Sequence, residues 1–188
     1  MSDLQMSLGI AGKGMSGHQT SHASTHEWLT PPEIIRALGH FDLDPCAPET
    51  RPWPTAGKHY TFEDNGLVQE WSGRVWMNPP YGDFVHDWMR RMVNHGNGIV
   101  LIFARTETAT FFNYVWPHAH AILFIKGRLR FHKVDGSKAK NGGGAPSVLI
   151  AYGEDNADAL QKCGIAGQFI RLDQTSKAID AEVVDDAG

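Results

Sequence analysis

Asn78-Pro79-Pro80-Tyr81 places two oxygen acceptors and one flat ring within four residues. The side-chain carbonyl of Asn78 and the backbone carbonyl of Pro79 can each take one N–H of a primary amine, and Pro79 has no backbone N–H to compete. Two prolines hold the acceptors rigid, and Tyr81 offers a face on which an extruded base can lie. These parts suit an exocyclic amine whose lone pair is delocalised into a ring. Gripping both N–H bonds lets the lone pair localise, with no strong base needed at first. The same tetrapeptide is also ordinary turn punctuation. Its position, directly after an apolar strand and before a helix, favours the chemical reading.

The elements around it are legible from periodicity. Arg74 to Met77 reads as the strand that ends at Asn78-Pro79-Pro80, which no central strand could continue through. Asp83 is placed to cap the next helix, whose face is Phe84, Val85, Trp88, Met89, Met92 and Val93 and whose end is Gly96. Ile99 to Phe103 is a continuous apolar strand of the type buried on both sides, followed by a helix from Thr106 to about Val115. Upstream, Thr30 is positioned to cap a helix with Pro31 at its first position and Glu33 completing a capping box. Ile34, Ile35 and Leu38 form its apolar face and Gly39 ends it. Short strands are expected at Phe41 to Asp44 and Lys58 to Phe62, separated by a loop with four prolines over residues 45–57. Further strands are expected at Ala121 to Ile125, Leu129 to His132 and Val148 to Tyr152. The glycine-rich loop Lys138 to Gly144 lies between the last two. Strand and helix alternate through the middle, which predicts an open, mostly parallel α/β sheet. Ligands collect outside the carboxyl ends of strands in such sheets, where both Asp44-Pro45 and Asn78-Pro79 are expected.

The chain has 188 residues, 41% of them hydrophobic, enough for one domain with a real core and too few for a second sizeable one. Residues 1–24, rich in Gly, Ser, His and Thr, read as a flexible arm, residues 25–172 as the domain, and residues 173–188 as an acidic tail. No run of apolar residues is long enough to span a bilayer and no signal pattern opens the chain, so a cytoplasmic protein is expected. Cys46 and Cys163 form neither a metal-type pair nor a disulfide scaffold. His118 and His120 have the spacing of one strand face but no acidic cluster beside them, so no metal is expected. The net charge of −4 conceals a local stripe. Lys126, Arg128, Arg130, Lys133, Lys138 and Lys140 stand against a single acid, Asp135. Such a stretch is either a solvated hairpin or a phosphate-tracking surface. Arg105, after the buried strand, could reach the same partner.

Four segments together, Trp28-Leu29-Thr30-Pro31-Pro32-Glu33, Asp42-Leu43-Asp44-Pro45-Cys46-Ala47, Trp76-Met77-Asn78-Pro79-Pro80-Tyr81-Gly82 and Lys126-Gly127-Arg128-Leu129-Arg130-Phe131, resemble the phage-type Dam-like DNA N-6-adenine methyltransferases. The resemblance covers about residues 26–152. It implies a Rossmann-like methyltransferase sheet with a β-rich C-terminal part, S-adenosylmethionine as cofactor and double-stranded DNA as substrate. It assigns catalysis to Asn78, Pro79, Pro80 and Tyr81. Thr30 and Pro31 fall where the family contacts the amino-acid end of the cofactor, and Asp44, Pro45, Cys46 and Ala47 where it contacts the methionine moiety. The glycine pair usual in that turn is absent, so Cys46-Ala47 supply the small side chains. Asp64 resembles the acidic position that meets the cofactor's adenine, could equally hold the ribose hydroxyls, and also reads as a solvated turn beside Asn65-Gly66. Asn-Pro-Pro-Tyr also serves enzymes that methylate RNA adenines or protein glutamines. A decayed site that only binds nucleic acid is a further alternative.

Overall fold

The computed structural model describes residues 28–82 and 84–173. Asp83, the arm over residues 1–24 and the acidic tail beyond Asp173 lie outside the described residues. Helix α1 spans Pro32–Leu38, and the short strands β1 (Leu43–Asp44) and β2 (Lys58–His59) follow it. Next come β3 (Val75–Met77), α2 (Val85–His95), β4 (Gly98–Phe103) and a π-helical turn, Phe111–Val115. The chain continues through β5 (Ala121–Ile125), β6 (Ser147–Tyr152), α3 (Glu154–Lys162) and β7 (Gly167–Arg171).

All seven strands join one open mixed sheet in the order β2-β1-β3-β4-β6-β5-β7. The pairings β2–β1, β1–β3 and β3–β4 are parallel, and β4–β6, β6–β5 and β5–β7 are antiparallel. The sheet is therefore half antiparallel, where the sequence led us to expect a mostly parallel one. The connection from β5 to β6 explains the difference. It contains no crossover helix, and a parallel return needs one. The chain instead turns back and slots β6 between β4 and β5.

Strands β4 and β6 are apolar because both faces are covered. Val100, Ile102, Val148 and Ile150 face a core shared with Trp88, Met89 and Met92 of α2 and Phe111 and Val115 of the π-turn. Ile99, Leu101, Leu149 and Ala151 face the other core, shared with Ile34, Ile35 and Leu38 of α1 and Ala157 and Leu160 of α3. Arg74 ties the sheet end remote from Asn78. Its guanidinium donates to the carbonyls of Leu38 and His40 at 2.9 and 2.8 Å and to Asn156 Oδ1 at 2.6 Å.

Three local expectations are corrected. Pro31, not Thr30, is the N-cap residue of α1, and no side chain caps it. Pro32 therefore takes the first turn, and a proline at the cap has no side-chain acceptor to offer, so the expected capping box does not form. The segment Leu129 to His132 is not a strand: His132 alone forms isolated bridges, to Leu29 and Lys138. The helix expected from Thr106 begins only at Ala109 and widens into the π-turn. Neither α3 nor β7 was anticipated. The first buries only Asn156, Ala157 and Leu160, and the second is exposed or half-buried throughout.

Candidate active site

Strand β1 sends the chain outward to β2, whereas β3 lies on its other side and leads on to β4. Connections diverge at the carboxyl ends of β1 and β3, and this split is where an open α/β sheet leaves a crevice. Asp44 ends β1 and Met77 ends β3. The two sequence motifs thus emerge side by side. The Asn78 backbone N–H faces the Cys46 sulfur.

Asn78 donates through Nδ2 to the Trp28 carbonyl at 3.1 Å, which leaves its Oδ1 buried with no partner. Pro79 is buried and Pro80 exposed. The Tyr81 ring lies on Phe103 of β4 with centroids 4.3 Å apart and planes 16° from parallel. One face of Tyr81 is therefore covered from within the protein, and only its other face is left for a base. The Tyr81 hydroxyl is buried without a partner, and burial holds its pKa above the ordinary 10.

Thr30 and Pro31 are buried beside this loop. The Thr30 carbonyl accepts from Trp53 Nε1 at 3.2 Å, while Thr30 Oγ1 has no partner. Asp44 is 3% exposed. Its carboxylate accepts from the Thr55 hydroxyl and, at 3.1 Å, from the Cys46 backbone N–H. Burial outweighs these bonds and raises its pKa to about 6. Burial, and then the Asp44 carboxylate beside it, push the Cys46 thiol up, so it is no ready nucleophile. Pro45 and Ala47 are buried, and Ala47 N–H donates to the Tyr60 carbonyl at 2.9 Å. Gly66 fixes the next loop against this turn. A Cβ there would stand 1.9 Å from the Pro45 carbonyl oxygen.

Asp64 shares no hydrogen bond with the cluster, and its carbonyl accepts from Gln69 Nε2 at 2.7 Å. It is exposed, and its Oδ2 accepts from the backbone N–H and hydroxyl of Thr61 at 2.8 and 3.0 Å, which lower its pKa. His118 and His120 precede β5 rather than share a strand face, and His120 Nδ1 accepts from the Gly153 N–H at 3.1 Å. Among the described residues no group of three or more His, Cys, Asp and Glu could hold a metal, and no helix is long and apolar enough to cross a membrane.

Lys126, Arg128, Arg130, Lys133, Lys138, Lys140 and Arg105 are all exposed, and none closes an ion pair with a described residue. The loop that carries six of them is pinned to the site. Leu29 and His132 exchange backbone hydrogen bonds of 2.8 and 2.9 Å, one residue from Thr30. A Cβ on Gly143 would meet Phe131 at 3.3 Å and Phe103 at 3.5 Å, so a glycine there lets the loop lie over the residue that stacks on Tyr81.

Seven buried side-chain polar atoms lack a partner among the described residues, and five belong to this end of the sheet: Thr30 Oγ1, Asn78 Oδ1, Tyr81 OH, His132 Nδ1 and Ser147 Oγ. Buried polar groups are ordinarily satisfied, so such a concentration marks a place where a polar ligand completes the bonding. A carboxylate, a threonine hydroxyl and an amide oxygen fit a ligand bearing an ammonium group and several donors. Trp53, Thr55, Phe103 and His132 were not anticipated as contributors. Trp53 and Thr55 lie in the proline-studded loop, whose rigidity was the one available signal. Matching against protein-family models assigns residues 17–161 to the family described as DNA N-6-adenine-methyltransferase (Dam). No curated protein and no solved structure matches the chain.

Proposed function

We propose, from the premise that the chain belongs to the DNA N-6-adenine-methyltransferase (Dam) family, that it methylates the exocyclic N6 amine of adenine in double-stranded DNA with S-adenosylmethionine as donor. The observation that carries the reading is the unpartnered Asn78 Oδ1 at the end of β3, beside the buried Asp44 carboxylate and Thr30 hydroxyl. Asn78 Oδ1 and the Pro79 carbonyl accept the two N–H bonds of the target amine, and the uncovered face of Tyr81 receives the ring. Thr30, Pro31, Asp44, Pro45, Cys46 and Ala47 hold the cofactor's amino-acid end, where Asp44 opposes its ammonium. S-adenosylmethionine supplies the methyl group from its sulfonium. Asp64 lies on the next loop and is left for the nucleoside end. The exposed bases of residues 126–140, with Arg105, hold phosphates.

The catalytic unit in this reading spans residues 25–172 and works in a cytoplasm where DNA is accessible. The phage-type motifs support a phage or prophage origin and protection of DNA from host restriction. Incubating the chain with S-adenosylmethionine and DNA, RNA or protein substrates, followed by mass analysis, tests the assignment. N6-methyladenine in DNA is the expected product. Methyl transfer to RNA or glutamine only, or cofactor binding without turnover, would each replace it.

A further inference from the structure

Among the described residues the Tyr81 side chain finds no hydrogen-bond partner, and its ring lies on Phe103 with centroids 4.3 Å apart and planes 16° from parallel. The chain just beyond it gives no further hold. Gly82 takes a positive φ of +104°, and no described atom lies within 4 Å of where its Cβ would stand. The direction of the Tyr81 ring is therefore set from beneath, by a side chain outside its own loop. Phe103 ends β4, where it pairs in register with Ser147 of β6. It also meets the loop that bears Arg128 and Arg130. The two arms of that loop press together: a Cβ on Gly142 would stand 2.6 Å from Arg128 Cβ, and the Gly143 N–H donates to the Leu129 carbonyl at 2.8 Å. A Cβ on Gly143 would in turn meet the Phe103 ring at 3.5 Å. Close contacts thus run from Arg128 through Gly143 and Phe103 to Tyr81.

Resting on the function proposed above, we infer that Phe103 is a positioning residue that aims the Tyr81 ring and joins it to the basic loop. A flat ring receives a base only when its face is already turned to it, and a ring held in advance loses no further freedom when the base arrives. The stack on Phe103 supplies that hold, since two aromatic faces laid together resist tilting apart. The loop whose bases hold phosphates rests on the same phenylalanine. The grip on the DNA backbone and the face offered to the target adenine are thereby kept in one register. Phe103 touches neither the target nitrogen nor the methyl donor and acts through Tyr81.

The test compares the full chain with Phe103→Leu, Phe103→Tyr and Gly143→Val variants on double-stranded DNA lacking adenine methylation. Phe103→Leu keeps bulk and removes the flat face, so kcat is expected to fall about threefold to tenfold while affinities for S-adenosylmethionine and DNA hold. Phe103→Tyr restores the rate. Gly143→Val crowds the Phe103 ring and should lose a similar factor, and the Phe103→Leu/Gly143→Val double variant should lose less than the product of the two. A kcat for Phe103→Leu within about twofold of the parent overturns the inference, as does equal loss in Phe103→Tyr or a matching loss of cofactor affinity. Losses that multiply overturn the link to the loop. The Tyr81 ring resonances, identified by their absence in Tyr81→Phe, give a second reading that needs no turnover. They should move in both Phe103→Leu and Gly143→Val, and resonances that Gly143→Val leaves in place overturn the link. A parent chain that methylates no DNA removes the proposed function, and the resonances then decide the placing of Tyr81 alone.

Discussion

Asn78 spends its amide nitrogen on the Trp28 carbonyl and keeps its oxygen free. That division fixes which atom faces a substrate, since an amide held by its donor side cannot turn its acceptor away without losing a hydrogen bond. Asn78→Ala should therefore lower turnover by about two to three decades while leaving cofactor affinity and folding nearly intact. Activity within about twofold of the parent would take Asn78 out of the mechanism. Asp44 yields a pH prediction. Its folded pKa, about 6, exceeds the ordinary 3.8 because burial disfavours the charge. Between those values the folded protein keeps a proton that the unfolded chain has released, so its contribution to stability is present at low pH and is lost as pH rises through about 6. Asp44→Asn abolishes this loss. Relative to the parent it should gain stability between about pH 4 and pH 7, on the order of 3 kcal/mol at most. Chemical denaturation at both pH values measures the gain, and a difference independent of pH would show that the carboxylate is not desolvated.

Among the elements, the turn after β1 depends on a neighbour distant from any motif. Gly66→Ala drives a methyl group into the Pro45 carbonyl and should cost about 1–3 kcal/mol of stability together with weakened cofactor binding. Unchanged melting and affinity would mean the two loops are not held in register. The basic loop is tested by charge. Neutralising Arg128, Arg130, Lys138 and Lys140 should flatten the slope of log affinity against log salt by about 0.9 for each phosphate no longer neutralised, with cofactor binding unchanged. A solvated hairpin predicts no change of slope. How far such elements could be read from sequence followed their packing. Strands β4 and β5 and helix α2 were legible to within a residue or two, because each carries an unbroken apolar run or stripe. Helix α3 was not, because Ala157 and Leu160 are its only buried apolar side chains. The Thr30 cap failed for a different reason, since two consecutive prolines leave open which one takes the first turn. The Asp44 and Asn78 segments that the structure brings together were readable, but Thr55 beneath Asp44 and Phe103 beneath Tyr81 are partners only in three dimensions.

Across the whole molecule, the candidate site joins segments as far apart in the chain as Thr30 and Ser147, so a ligand that satisfies their unpartnered polar atoms should be felt globally. S-adenosylmethionine at about 100 times its dissociation constant should raise the melting temperature by about 5–10 °C, which a thermal shift assay reads directly. No shift at saturating cofactor would place binding elsewhere or nowhere. The order of the strands was the least legible property, because the reversal at β6 is set by a loop without regular structure. That reversal also dictates a timetable. During synthesis β5 leaves the ribosome before β6, the only strand that joins it to β4. Until residues 147–152 emerge, the parallel half can assemble with the Asn78–Tyr81 loop in place while β5 waits outside it. The nascent chain thus passes through a stage with two unsealed strand edges facing one gap. Released chains truncated before residue 147 should be cut by protease within β5, and chains extended through Tyr152 should resist the cutting as β6 closes the gap.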